Sequence, residues 1–199
     1  MKNTRKNRLK KIVRRFWEEI KSSKVIIIIC CLIVMTVLML AIMIKQQDIG
    51  AHEAGLQIEQ LANTIRQHYK TRPDYWGLST AEVLKNKLYP DSMSINGGKL
   101  LGYFNNPVEI GMNDNGDAVM PTLRDFVIAY RDLTKAQCAA LAAERFQRNF
   151  WLGIKNVSIV NGDDTYTFDW DHKERTLPIE RKKAADLCHT GSNIIFRFE

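Results

Sequence analysis

Two cysteines, four histidines, a scatter of carboxylates and one loop rich in Asn and Asp are the groups in this chain whose type and spacing could do chemistry. Cys138 and Cys188 stand 50 positions apart. If that region lies outside the cytoplasm, oxidising conditions permit a disulfide, and closing a loop of this length would contribute about 4 kcal/mol in the chain-entropy model. Spacing alone does not bring two Cα atoms within bonding distance, so two separate buried thiols are the alternative. His52, His68, His172 and His189 are scattered, and none has a His or Cys at metal-ligand spacing. His172, between Asp171 and Lys173, reads as a solvated loop residue. Asp163, Asp164, Asp169 and Asp171 read as a solvated acidic surface rather than an opposed catalytic pair. The stretch 113–117 (Asn-Asp-Asn-Gly-Asp) has the outline of a calcium loop but lacks the distal bidentate glutamate, which leaves an ordinary polar turn. There is no Gly-x-Ser-x-Gly, Walker loop or dinucleotide fingerprint. The expectation is a protein that is not an enzyme and holds neither cofactor nor metal.

The elements that position these groups are organised around a membrane. Residues 25–44 are twenty apolar or near-apolar residues between Lys24 and Lys45, with Thr36 the lone hydroxyl. A helix of that length reaches about 30 Å, the hydrocarbon thickness of a bilayer. Thirteen of the twenty are Ile, Leu or Val, each favouring insertion by about 0.3–0.6 kcal/mol near the helix centre. Cys30 and Cys31 fall inside this run, where thiols act as small hydrophobes.

The net charge of +7 and pI near 9.3 would suit nucleic acid until position is considered. Residues 1–24 hold ten basic side chains against Glu18 and Glu19, a net +8, so with +7 for the whole chain the remainder carries −1. The excess sits in a short arm beside the membrane, which the positive-inside rule keeps cytoplasmic. Leu9, Ile12, Phe16 and Ile20 at helical spacing fit a basic amphipathic helix on the anionic inner leaflet. The apolar run is too long for a cleavable secretory signal and is followed by no small-residue cleavage site. A single-pass protein follows, N-terminus in the cytoplasm and residues 45–199 outside it, without nucleic acid as a partner.

Beyond the membrane, Ile58, Leu61, Ala62, Ile65 and Tyr69 repeat at helical spacing, with Gln57, Glu59, Gln60, Arg66 and Gln67 placed on other faces. This predicts an extension over 45–72, ended by Pro73. Ile58, Leu61, Ile65 and Tyr69 form a packing stripe, read as intramolecular core. The globular domain, 73–199, reads as helix plus antiparallel sheet. Ser79 and Glu82 make a capping box opening a helix to about Leu88, and Pro90, Gly97 and Gly98 mark a loop. Strands are predicted at 99–104, 108–112 and 125–130. A helix follows from Lys135 to about Arg148, capped by Thr134. A hairpin at 155–160 and 165–169 turns at Asn161-Gly162, then come a helix at 179–187 and a last strand at 193–198.

Three stretches in this order carry a resemblance. Asp74-Tyr75-Trp76-Gly77-Leu78-Ser79-Thr80-Ala81 follows the long helix, with Tyr89-Pro90-Asp91-Ser92-Met93 after it. Asp125-Phe126-Val127-Ile128-Ala129-Tyr130-Arg131-Asp132-Leu133-Thr134-Lys135-Ala136-Gln137-Cys138 is the second. Ala184-Ala185-Asp186-Leu187-Cys188-His189-Thr190-Gly191-Ser192-Asn193 precedes the last strand. Behind an N-terminal membrane helix, this set resembles the type IVb pilins, over about 45–199. The resemblance implies an α+β fold in which the outer half of the long helix packs on a twisted antiparallel sheet. It also implies a Cys138–Cys188 disulfide fastening the C-terminal segment, and assembly with other pilin or pilus-machine subunits.

The chain departs from the family in two places. Such subunits carry a glycine at the leader boundary and a glutamate a few residues into the mature helix. Here Glu18-Glu19-Ile20-Lys21-Ser22-Ser23-Lys24 offers no glycine, and residues 25–44 hold no acid. A carboxylate in a bilayer costs about 2.5 kcal/mol or more and persists only for function. The expectation is an unprocessed, permanently anchored pilin-like component of a type IV pilus or related secretion or conjugation machine. The alternatives are a non-polymerising inner-membrane scaffold and an exported ligand-sensing or hydrolytic domain.

Overall fold

The computed structural model describes residues 23–112, 124–146, 153–171 and 173–199. The basic arm up to residue 22, the 113–117 turn and His172 lie outside the described residues. The chain divides into two compact units, Met1–Gln46 and Gln47–Glu199, and one 47-residue helix, α1 (Ser23–Tyr69), contributes to both. In the first unit its large apolar side chains, from Ile26 to Ile42, are 45–62% exposed. Among the described residues no helix is long and apolar enough to cross a membrane. The ends of the expected span 25–44 fall outside the described side chains, so a transmembrane helix rests on the sequence run and not on the fold.

In the second unit α1 runs to Tyr69, with Arg66 and His68 in its last turn complementing the negative end of the helix dipole. Ala51, Ala54, Ile58, Leu61, Ala62, Ile65 and Tyr69 are buried. So is Gln57, at 2% exposure, although the sequence reading put it on another face. It precedes Leu61 by one helical turn and therefore shares its face. Its polar ends are satisfied by tertiary partners: Nε2 donates to the Ser92 carbonyl at 2.8 Å, and Oε1 accepts from the Tyr103 N–H at 2.8 Å.

Among the described residues, seven strands form one antiparallel sheet in the order β1-β2-β3-β4-β7-β5-β6. They are β1 (Ser94–Asn96), β2 (Lys99–Leu101), β3 (Pro107–Gly111), β4 (Phe126–Leu133), β5 (Ile154–Asn161), β6 (Asp164–Asp169) and β7 (Ser192–Phe198). The last strand of the chain is thus internal, paired with β4 on one side and β5 on the other. Its Ile194, Phe196 and Phe198 join Phe126, Ile128 and Tyr130 of β4 and Val157 and Ile159 of β5 in one core with the α1 stripe. Phe126 stacks on Phe198 with ring centroids 5.1 Å apart.

Several boundaries differ from the sequence reading. Helix α2 (Thr80–Lys85) stops short of Leu88 because Lys87 takes a left-handed φ of 52°, letting the Leu88 N–H return to the Val83 carbonyl at 2.9 Å. β1 occupies the expected loop before Gly97; Gly97-Gly98 is its hairpin turn to β2, with φ of 57° and 74°. β2 ends at Leu101, since the Gly102 N–H turns to the Asn106 carbonyl at 3.0 Å. Helix α3 (Lys135–Ala142) is shorter than predicted, with Ala143 as C-cap, and α4 (Arg181–Leu187) starts two residues late, leaving Ile179 as a buried anchor.

Leu61→Ala should lower the unfolding free energy by about 2–5 kcal/mol, because the emptied volume lies in a core that cannot collapse. Gln60→Ala, on the exposed face, should stay within about 0.5 kcal/mol. Urea titration of the detergent-solubilised chain checks both, and equal effects would contradict this seating of α1.

Candidate functional site

The described residues contain no catalytic constellation and no group of three or more His, Cys, Asp or Glu able to hold a metal. They build instead a clasp that holds an internal last strand. Thr134 caps α3 with a complete capping box to Gln137, which presents Cys138 on the buried side. Cys188 is the C-cap of α4, and the two form a disulfide with Cα atoms 5.8 Å apart, both fully buried. The chain then enters β7 by Gly191, at φ 86°, whose N–H donates to the Leu133 carbonyl at 2.8 Å. Asp132 adopts φ 53° in the bulge opposite; its N–H donates to Asn193 Oδ1 at 3.1 Å. Beside the disulfide, Asn161 Nδ2 donates to the Leu187 carbonyl at 2.6 Å and Asn161 Oδ1 accepts from the buried Ser192 hydroxyl.

The other end of β7 is held by charge. Asp125 is 1% exposed. Its Oδ1 accepts from Lys155 Nζ at 2.9 Å, and its Oδ2 accepts from Arg197 Nε at 3.1 Å and Nη2 at 2.9 Å. A carboxylate this buried persists because two cations and their hydrogen bonds replace its water. From α1, Arg66 Nε and Nη2 donate to the main-chain oxygen of Glu199 at 3.1 and 2.8 Å. Gly153, at φ 51°, leaves no room there for a side chain against the guanidinium. Burial lowers the Arg66 pKa, opposed by Tyr75 and Glu199.

The stripe residues Ile58, Leu61, Ile65 and Tyr69 all lie in the core, and the Tyr69 hydroxyl has no hydrogen-bond partner among the described residues. The histidines are not brought together: His52 Nδ1 lies 3.1 Å from Glu144 Oε1, His68 packs edge-on to Tyr69, and His189 sits in the clasp turn. Asp163, Asp164 and Asp171 are exposed, and Asp169 Oδ1 accepts the Asp171 N–H at 3.0 Å. An open cleft of about 710 Å³ on the sheet face opposite α1 is lined by Thr80, Lys99, Pro107, Val127, Glu109 and Arg131. Its floor carries a Glu109–Arg131 ion pair at 2.8 Å rather than opposed carboxylates. Gln57, Arg66 and Asp125 escaped the sequence reading. Gln57 could have been found from its i−4 relation to Leu61, whereas Asp125 meets cations 30 and 72 positions along the chain.

Asp125→Ala should cost about 3 kcal/mol of stability, because it strands the largely buried Arg197 guanidinium; a urea midpoint within error of the parent would contradict the cluster. Burial also raises the phenol pKa of Tyr130, Tyr69 and Tyr75. The folded state then favours the neutral ring, so this contribution is complete below about pH 10 and is lost as pH rises above it. Denaturation midpoints should fall between about pH 9 and pH 11, less steeply in Tyr130→Phe.

Comparison with known proteins places this geometry. The crystal structure of a type IV b pilin from Salmonella typhi resembles the chain with a TM-score of 0.50 at 12% identity, over 74% of this chain and 98% of that one. At that identity the likeness speaks for the fold. No curated protein matches the sequence. A family model described as Bundlin matches residues 50–194, from the buried half of α1 through the clasp into β7. The chain therefore belongs to the bundlin family of type IVb pilins.

Proposed function

We propose that this pilin is a structural component of a type IV pilus or a related secretion or conjugation machine, anchored in the inner membrane by residues 25–44 and working through protein contacts. The observation that carries the reading is the contrast along α1. Its C-terminal half is buried by its own sheet, while its N-terminal half presents apolar side chains on every face at 45–62% exposure. A helix apolar all round needs lipid or neighbouring helices to cover it. The basic arm orients such a helix with its N-terminus in the cytoplasm, which puts the clasped head in an oxidising compartment where its disulfide persists.

A second reading keeps the fold and drops the filament. It draws on the absence of any acid in 25–44, since the family's polymerising subunits use a glutamate there. The chain is then a fixed scaffold within the assembly machine, still acting through other pilin or machine subunits.

The test is the intact mass and N-terminal sequence of the protein recovered from carbonate-washed membranes and from sheared surface filaments. Loss of the basic arm with material in the filament fraction supports a polymerising subunit. An intact chain confined to membranes supports the scaffold. Release by the carbonate wash would overturn the anchor in both.

A further inference from the structure

We propose that Asn161-Gly162 is a disulfide-guarded deamidation site, a chemical record of whether the clasp has been opened. In an Asn-Gly pair the unhindered main-chain nitrogen of glycine attacks the side-chain amide carbon. The new N–Cγ bond forms, the Cγ–Nδ2 bond breaks, and ammonia leaves with the proton lost by the glycine nitrogen. Water then opens the cyclic imide to aspartate or isoaspartate. Among the described residues two such pairs occur, both in hairpin turns: Asn96-Gly97 between β1 and β2, and Asn161-Gly162 between β5 and β6. Both glycines take a left-handed φ, 57° and 59°, and neither would meet a neighbouring atom within 4 Å if it carried a Cβ. Both glycines are exposed. The asparagines differ.

Asn96 is exposed. Asn161 is tied at both ends of its carboxamide, Nδ2 to the Leu187 carbonyl at 2.6 Å and Oδ1 to the hydroxyl of Ser192. Ser192 is 1% exposed; its Oγ accepts the His189 N–H at 2.8 Å while its one proton goes to Asn161 Oδ1. Leu187 and His189 are the two neighbours of Cys188, which is bonded to Cys138. The amide carbon therefore cannot swing toward Gly162 until the segment around Cys188 loosens, and the disulfide is what holds that segment to α3. Conversion would be irreversible in its effect: a carboxylate at 161 has no proton to donate and would face the Leu187 carbonyl with like partial charge.

The experiment incubates the full detergent-solubilised chain at mildly alkaline pH and follows the amide-to-acid mass gain in the peptides holding Asn161 and Asn96. The interval is set by the conversion of Asn161 in the reduced, urea-unfolded chain. In the oxidised native protein Asn161 should convert about tenfold or more slowly than in that reference, since two hydrogen bonds must break first, while Asn96 converts near its unfolded rate. Reduction without urea, and separately Ser192→Ala with the disulfide intact, should accelerate Asn161 and leave Asn96 unchanged. Equal conversion of Asn161 in the oxidised native and unfolded chains would overturn the proposal. So would an Asn161 that stays protected after both reduction and Ser192→Ala, or acceleration of both sites together, which would report general unfolding.

Discussion

The last strand of this chain lies inside its sheet, and every other feature of the head follows from having to put it there. β7 pairs with β4 and β5 at once, and its Ile194, Phe196 and Phe198 complete the apolar floor on which α1 rests. Without β7 the sheet falls into two pieces, β1 to β4 and the β5–β6 hairpin. A strand inserted this late joins residues far apart in sequence, so the loop-closure entropy is large. Three separate devices offset it. The disulfide holds the entry to β7, the Asp125 cluster and the Arg66 contact hold its exit, and the Phe126–Phe198 stack buries its last residue.

These devices are chemically distinct in a way that suits a mechanical part. The covalent link does not weaken with salt. The Asp125–Arg197 pair is largely buried, so counterions screen it little. The apolar seating of α1 is non-directional and large, while Gln57 and Arg66 add direction by pinning one helix face to the 92–103 segment and to the chain's last residue. A polar residue at the centre of a packing stripe opposes sliding of the helix, because any shift strands its amide in an apolar core. The described residues hold no metal group and no opposed catalytic carboxylates, and membership in a family of pilus subunits fits that inventory.

Much of this was readable from the chain. The apolar run, the stripe at Ile58, Leu61, Ile65 and Tyr69, the caps at Ser79 and Thr134 and the Asn161-Gly162 hairpin are local signals, each decided within about a helical turn or a tight turn of sequence. Most elements are therefore legible in the sequence, although β1 is not and α3 ends at Ala142 rather than near Arg148. The failures were local too. Three residues before a Gly-Gly turn give too short an alternation to mark β1, and nothing in Asn86-Lys87-Leu88 announces the left-handed residue that ends α2 early.

What sequence determined by itself was most of the elements, the family, and the gathering of positive charge ahead of the apolar run. Periodicity, capping and composition are properties of neighbours along the chain. Tertiary structure alone decided that β7 enters between β4 and β5, that Gln57 is core, that Asp125 meets Lys155 and Arg197, and that Asn161 is tied beside Cys188. Each of those depends on partners 26 to 72 positions apart, brought together only when burial of the apolar sheet face selects one strand order from many that satisfy the same local pattern.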